Sequence, residues 1–323
     1  MKVLVTRRLP ERVMAYLEER ADVTCAAEDR GLTREELIAG LQGKDALLCL
    51  LTDKIDAEVM DANPYLRVIA NYAVGYNNID IEAATARGIT VTNTPDVLTA
   101  ATADMAWALL MAVSRRIVEG DTLVRSGGWT GWAPLQLIGG DVTGATLGLV
   151  GLGRIGRAMM RRAQGFDMDI LYWNRTRLAA EEEAELGIRY GTLEEVMRTA
   201  DYVSIHVAYT EQTHHLIGER ELRSMKPGAY LINTARGAHI DEAALVRALR
   251  EGWIAGAGLD VYEREPELAS GLTKLENVVL APHLGSATLQ TREEMGMMAV
   301  RSILAVMDEE RPDHVVNTGL YEQ

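Results

Sequence analysis

"ATLGLVGLGRIGRAMMRRAQGFDMDILYWNRTR", residues 145–177, decides how the rest of the chain is read. Its run "TLGLV" is apolar and β-rich, "RAMMRRAQ" reads as a helix, and Gly151, Gly153 and Gly156 stand before it. In a strand–turn–helix setting each glycine has a separate purpose. The first permits a tight turn, the second lets backbone approach a pyrophosphate, and the third allows close helix–strand packing. The helix N-terminus then turns its free N–H groups toward phosphate. A glycine turn with no ligand is the plain alternative. The further β-α units behind this one favour the dinucleotide reading.

The end of the stretch bears on which dinucleotide. Asn174 lies eighteen positions after the last glycine (156 to 174), near where an acidic residue is expected to hold a ribose diol. A neutral Asn removes the repulsion of a 2′-phosphate, while Arg175, Arg177 and the Thr176 hydroxyl supply donors for one. Hydrogen bonds to charged groups contribute about 1.5–3 kcal/mol each. The bland alternative is that both arginines are solvated residues opening the helix "RLAAEEEAEL". Because the acid and its replacement change together, the expectation is NADPH preferred, with NADH possible.

Outward from this unit the pattern repeats. Upstream, "KVLVT" reads as a strand and "PERVMAYLEER" as a helix with Val13, Met14 and Leu17 on one face. "TREELIAGL" opens with a capping-box pattern of Thr33 and Glu36. "DALLCLL", "RVIANYA" and "ITVTN" are apolar enough to be strands covered on both faces, as parallel sheets require. The stretch "TAATADMAWALLMAVSRRIVEGDTLVRSG" reads as one long connecting helix, followed by a loop with Trp129 and Trp132. Downstream, "DILYW", "YVSIHV", "AYLINTA", "AGAGLDV" and "VVLA" read as strands, and "LQTREEMGMMAVRSILAVMDEE" as a final helix. The alternation implies open α/β layers, with boundaries near Leu98 and Gly285.

Composition bounds the function. The 323 residues suit about two domains at roughly 150 residues each. A net charge of −14 argues against nucleic acid as partner, because binding it needs clustered Lys and Arg. A small anionic substrate remains compatible with a local cationic pocket. No apolar run approaches the ~18–20 residues that would cross a bilayer, and no signal peptide is read, so a soluble cytoplasmic protein is expected. Cys25 and Cys49 read as two buried thiols, and no metal set is read.

Three residues stand where chemistry is expected. Open α/β sheets place their ligands at the loop ends of their strands. Of the six histidines, only His283 in "LAPHLGSAT" follows a buried strand in this way. Arg236 closes "AYLINTA"; it suits bidentate capture of a carboxylate, though a surface charge is the simpler reading. Glu265 in "DVYEREP" also lies just past a strand. Spacing alone does not bring the three together.

The elements "GLGRIG", "NTARG", "GAGLDVYEREP" and "PHLGSAT", in this order, resemble the D-isomer-specific 2-hydroxyacid dehydrogenases, and the likeness extends from "NYAVGYNNID" to the last helix. The stretches "GWTGWAP", "RAQGFDMDILYWNRTR" and "LREGWIAGAGLDVYEREPE" are most similar to the glyoxylate/hydroxypyruvate reductase branch. The resemblance implies an α/β protein of two doubly wound parallel-sheet domains, a flavodoxin-like substrate domain formed by 1–98 plus 289–323 around a Rossmann-type nucleotide domain inserted over 99–288, with the active site in the cleft that they form. It implies reduction of small 2-oxo acids, glyoxylate to glycolate and hydroxypyruvate to D-glycerate. Arg236 would hold the substrate carboxylate, Glu265 would hold the catalytic histidine, and His283 would be that histidine. The backbone of Val74 and Gly75 would receive the substrate carboxylate. Trp132 would reach into the partner's site of a homodimer. The cofactor would be held by Gly151, Gly153, Arg154, Ile155, Gly156, Asn174, Arg175, Thr176, Val207, Thr213, Thr234, Ala235, Asp260 and Gly285.

One departure is visible. The family often has proline where "HVAYT" has Ala208, which alters loop rigidity near the nicotinamide. Other members act on D-3-phosphoglycerate or D-lactate, and some are non-enzymatic regulators that sense dinucleotide. The chain lacks a regulatory extension and keeps Arg236, Glu265 and His283, which favours the reductase.

Overall fold

The computed structural model describes residues 1–26 and 28–322. The chain divides into two compact units, Met1–Leu98 with Ala287–Gln323, and Thr99–Ser286. The first opens with β1 (Lys2–Val5), α1 (Glu11–Glu18), β2 (Asp22–Cys25), α2 (Arg34–Leu41), β3 (Ala46–Cys49), α3 (Ala57–Asp61), β4 (Val68–Asn71), α4 (Ile81–Ala86) and β5 (Thr90–Thr92). The second runs through α5 (Thr99–Ser114), α6 (Ile117–Arg125), β6 (Thr146–Val150), α7 (Arg154–Gln164), β7 (Asp169–Trp173), α8 (Ala180–Leu186), β8 (Ile188–Tyr190), α9 (Leu193–Thr199) and β9 (Tyr202–Ile205). It continues with α10 (Glu219–Ser224), β10 (Tyr230–Asn233), α11 (Glu242–Glu251), β11 (Gly256–Leu259) and β12 (Val278–Leu280), before α12 (Leu289–Met307) returns to the first unit.

Both sheets are parallel, with strand orders β2-β1-β3-β4-β5 and β12-β11-β10-β9-β6-β7-β8. The first is the flavodoxin-like order. The second reverses direction at β6, and its neighbours β9 and β7 leave on either side, as in a Rossmann fold. β3, β4, β9, β10 and β11 are buried along their whole length. Helices cover both faces, so these strands read as unbroken apolar runs.

Local chemistry sets the elements. α1 buries Val13, Met14 and Leu17. α2 is capped by Thr33 and Glu36, each side chain bonding the other's backbone N–H. α12 packs into the first unit's core through Ala299, Val300 and Ile303, beside β1, β3 and β4. A Cβ on Gly296 would stand 2.7 Å from Val13 side-chain carbons, so glycine lets α12 lie directly on α1.

Two sequence expectations are corrected. The long connecting helix is two helices, because Arg116 adopts a left-handed conformation (φ 53°) between α5 and α6. Its guanidinium then turns onto Glu119 in the first turn of α6. Cys25 is only half-buried, on edge strand β2, while Cys49 is buried; both are free thiols. Among the described residues, no helix is long and apolar enough to cross a membrane.

Candidate active site

The candidate site lies in the second unit, at the C-terminal ends of β6, β7, β9, β10 and β11. Gly151 follows β6 with φ 102°, and a Cβ there would come within 2.8 Å of His206 and Val207 backbone. A Cβ on Gly156 would meet the Gly151 carbonyl oxygen at 2.2 Å. These two glycines are therefore demanded by the protein's own packing at the switch point between β6 and β9. Gly153 differs: nothing lies within 4 Å of its Cβ position, and α7 begins at the next residue. Free space above a helix N-terminus is what an approaching pyrophosphate requires. Arg154 is exposed and Ile155 half-buried beside it.

Past β7, the Asn174 carboxamide oxygen accepts from the Leu152 backbone N–H at 2.7 Å. Asn174 thus fixes the glycine turn and keeps its NH₂ donor for a ligand. Arg175 and Thr176 are exposed. Arg177 is placed otherwise than the sequence suggests. Its Nε and Nη2 donate to Glu183 at 2.8 and 2.7 Å, and its guanidinium lies 5.2 Å from the Tyr190 ring centroid. The Tyr172 hydroxyl donates to the same carboxylate at 2.6 Å. Arg177 and then Tyr172 hold the Glu183 pKa down at about 2. Arg177 is committed to bracing the strand exit, leaving Arg175 and Thr176 as the exposed anion donors of this stretch.

At the end of β9, Nε2 of His206 lies 2.8 Å from Ser204 Oγ, and burial pushes the ring's pKa down to about 4. Val207 and Thr213 flank the turn that follows, and the Thr213 hydroxyl donates to the Ala208 carbonyl at 3.0 Å. At the end of β10, Thr234 Oγ1 is buried without a hydrogen-bond partner in the protein. A buried orphan hydroxyl costs free energy unless something bonds it, so Thr234 is suited to a ligand group.

Asn233, fully buried, shapes the next turn: its oxygen accepts from Ala235 N–H and its NH₂ donates to the Arg236 carbonyl. Arg236 is thereby presented with Nη1 donating to the Ala235 carbonyl at 2.8 Å, and burial lowers its pKa. A Cβ on Gly237 would lie 1.8 Å from the Tyr262 carbonyl carbon, so the Arg236 turn sits directly on the chain leading to Glu265.

Glu265 and His283 meet. His283 Nδ1 donates to Glu265 Oε2 at 2.9 Å, and Tyr262 N–H donates to Glu265 Oε1 at 3.0 Å. Burial raises the Glu265 pKa, but the hydrogen bond and charge of His283, the Tyr262 N–H and Arg236 outweigh it, so the net shift is downward. Because a carboxylate only accepts, Nδ1 carries the proton toward Glu265 and Nε2 is left for chemistry. His283 itself adopts φ 57°.

Asp260 holds that loop. It is fully buried, and its two oxygens accept from Leu284 N–H at 2.6 Å and Gly285 N–H at 2.7 Å, while its carbonyl accepts from His283 N–H at 2.9 Å. Burial raises its pKa against those bonds. Asn233 and Asp260 are the supports that organise Arg236 and His283, and the sequence reading found no such role for either.

Val74 and Gly75 lie elsewhere, in the first unit after β4. Asn93 and Asn71 donate to their carbonyls at 2.8 and 2.9 Å. Trp132 is 83% exposed in the loop after α6. No group of three His, Cys, Asp or Glu side chains among the described residues could hold a metal.

The description "D-isomer specific 2-hydroxyacid dehydrogenase, NAD binding domain" matches residues 107–285, which contain all of these strand ends. A glyoxylate reductase from Thermococcus gammatolerans is 51% identical over 98% of this chain and 96% of its own. The chain belongs to the D-isomer-specific 2-hydroxyacid dehydrogenases. Within that family it groups with the glyoxylate reductases. The crystal structure of a Thermus thermophilus protein superposes with TM-score 0.91 at 46% identity, over 98% of this chain and all of that one. An NADPH-dependent glyoxylate/hydroxypyruvate reductase from Sinorhizobium meliloti, solved with NADP and malonate, gives TM-score 0.85 at 35% identity over 98% and 96% of the two chains. The match to a NAD binding domain indicates that the chain uses a nicotinamide dinucleotide, and the open face of Gly153 and the orphan Thr234 hydroxyl fit such a ligand.

Proposed function

We propose that this dehydrogenase reduces small 2-oxo acids, glyoxylate to glycolate and hydroxypyruvate to D-glycerate, with NADPH preferred over NADH. The observation that carries the reading is the His283–Glu265 pair with the half-buried Arg236 close enough to lower the Glu265 pKa. Asn174, Arg175 and Thr176 receive the adenosine end, and Gly151, Gly153, Arg154, Ile155 and Gly156 the pyrophosphate. Val207, Thr213, Thr234, Ala235, Asp260 and Gly285 line the nicotinamide side.

The bound cofactor supplies a hydride to the carbonyl carbon. The protein must hold the acid and deliver a proton to the carbonyl oxygen. Arg236 binds the substrate carboxylate, fixing the 2-oxo group and polarising its carbonyl. His283 gives the proton from Nε2, while the Nδ1–H bond to Glu265 holds the ring's orientation. Asp260 sets the loop that aims the ring. One hydride and one proton convert the 2-oxo group to an alcohol, and solvent returns the proton to His283.

A homodimer accompanies this reading. α6 has no buried residue, and Ile117, Val118, Val124, Trp129, Trp132, Leu135 and Ile138 are all exposed. A concentration of exposed apolar side chains in one stretch of chain marks an interface, and a second copy of the chain covers it.

Initial rates of NADPH and NADH oxidation against glyoxylate and hydroxypyruvate test the function. The expected kcat/KM is above about tenfold higher with NADPH, the gain of one charged hydrogen bond. Equal or better rates with NADH would remove the 2′-phosphate assignment. No turnover of either acid with either cofactor would remove the reductase assignment.

A further inference from the structure

His239 closes the short helical turn Gly237–His239 after Arg236, and it is fully buried. Its two ring nitrogens face two main-chain carbonyls of one segment. Nδ1 lies 3.1 Å from the Thr213 oxygen and Nε2 lies 3.1 Å from the Val207 oxygen. These carbonyls bracket "VAYTEQT", residues 207–213, in which Ala208, Thr210, Glu211 and Gln212 are exposed. Ala208 does not fix φ as a proline would. The segment's own ties are short, from the Thr213 hydroxyl to the Ala208 carbonyl and from Thr210 N–H to the Thr213 hydroxyl. Tyr209 leans on the same imidazole, with ring centroids 5.8 Å apart.

The other side of the contact is anchored. The His239 carbonyl accepts from Ile217 N–H at 3.0 Å, its N–H donates to the Arg236 carbonyl at 3.2 Å, and Gly237 is pressed against Tyr262 backbone. The ring therefore holds the exposed segment, and losing it releases residues 207–213 rather than Arg236.

We propose that His239 is a positioning residue: by donating to the Val207 or the Thr213 carbonyl it holds residues 207–213 in the conformation that receives the dinucleotide. This rests on the reading above, in which Val207 and Thr213 line the cofactor. Burial, with Arg236 and His214 nearby, lowers the ring's pKa and favours its neutral form. A neutral imidazole carries one N–H, so it donates to one of the two carbonyls. Loss of that bond is expected to weaken cofactor binding by roughly threefold to tenfold.

The test compares wild type, His239→Leu, His239→Asn and His239→Gln for KM of NADPH and NADH, KM of glyoxylate, and kcat. An Asn amide nitrogen stands near Nδ1 and reaches Thr213; a Gln amide nitrogen stands near Nε2 and reaches Val207. Leucine is expected to raise cofactor KM by about threefold to tenfold, leaving glyoxylate KM and kcat within about twofold. One of the two amides is expected to restore it and so name the carbonyl served. Where the leucine variant does not fold, the two amide variants must still differ from each other in cofactor KM. An unchanged cofactor KM in the leucine variant, a parallel rise in glyoxylate KM, or two indistinguishable amide variants overturns the clamp and leaves the reductase reading intact. Wild-type enzyme that binds neither dinucleotide overturns that reading and the clamp with it.

Discussion

Arg175 and Arg177 stand two positions apart at the exit of β7 and have different partners. Arg177 is engaged by Glu183 and lies near the Tyr190 ring, whereas Arg175 is exposed beside Asn174. Arg175→Ala is expected to raise the KM for NADPH by roughly tenfold to a hundredfold and to leave that for NADH nearly unchanged. Arg177→Ala should instead keep the NADPH/NADH ratio and lower the thermal midpoint by about 2–4 °C. Steady-state kinetics with both cofactors and a melting curve check the pair; loss of NADPH preference in Arg177→Ala alone would reverse the assignment. The sequence offered both arginines as donors because the Glu183 bond depends on how α8 folds back on β7. Arg236, Glu265 and His283 were each legible as residues just past a strand. Their contacts were not legible in spacing, since the Asp260–Leu284 bond spans 24 positions and the His283–Glu265 bond 18, and it was the family resemblance that paired Glu265 with His283.

At the scale of elements, the apolar strands were legible, edge strands β5 and β12 among them, and two of the four sheet edges were not. β3, β4, β9 and β10 are apolar runs, whereas edge strand β2, "DVTC", alternates exposed and half-buried residues, and edge strand β8 has only three residues, "IRY". Strands so polar or so short leave no apolar signature. The break at Arg116 was also hidden, since a left-handed arginine leaves no mark in hydrophobic pattern. β9 carries a pH dependence of its own. His206 at its end titrates at about 4 in the fold against an ordinary 6.5, so the unfolded chain takes up the proton first. Its contribution to stability is full above the unfolded value and is lost as pH falls from 6.5 toward 4. Between about pH 6 and pH 5, wild type should lose roughly 1 kcal/mol more unfolding free energy than His206→Gln. Denaturant titrations at the two pH values measure this, and parallel losses would show that the ring is not held neutral.

For the whole molecule, the proposed second copy would cover the exposed apolar residues of α6 and the loop after it. Leu135 is 81% exposed and Trp132 83%. Sedimentation is expected to give twice the chain mass for wild type and the chain mass for Ile117→Asp with Leu135→Asp. A wild-type monomer at micromolar concentration would leave that surface unexplained. Proton delivery by His283, oriented by Glu265, to the carbonyl of a 2-oxo acid is measured by kcat for glyoxylate reduction in His283→Ala at saturating NADPH. The expected result is a fall of roughly 10²–10⁴-fold with NADPH binding preserved. Turnover equal to wild type would contradict it.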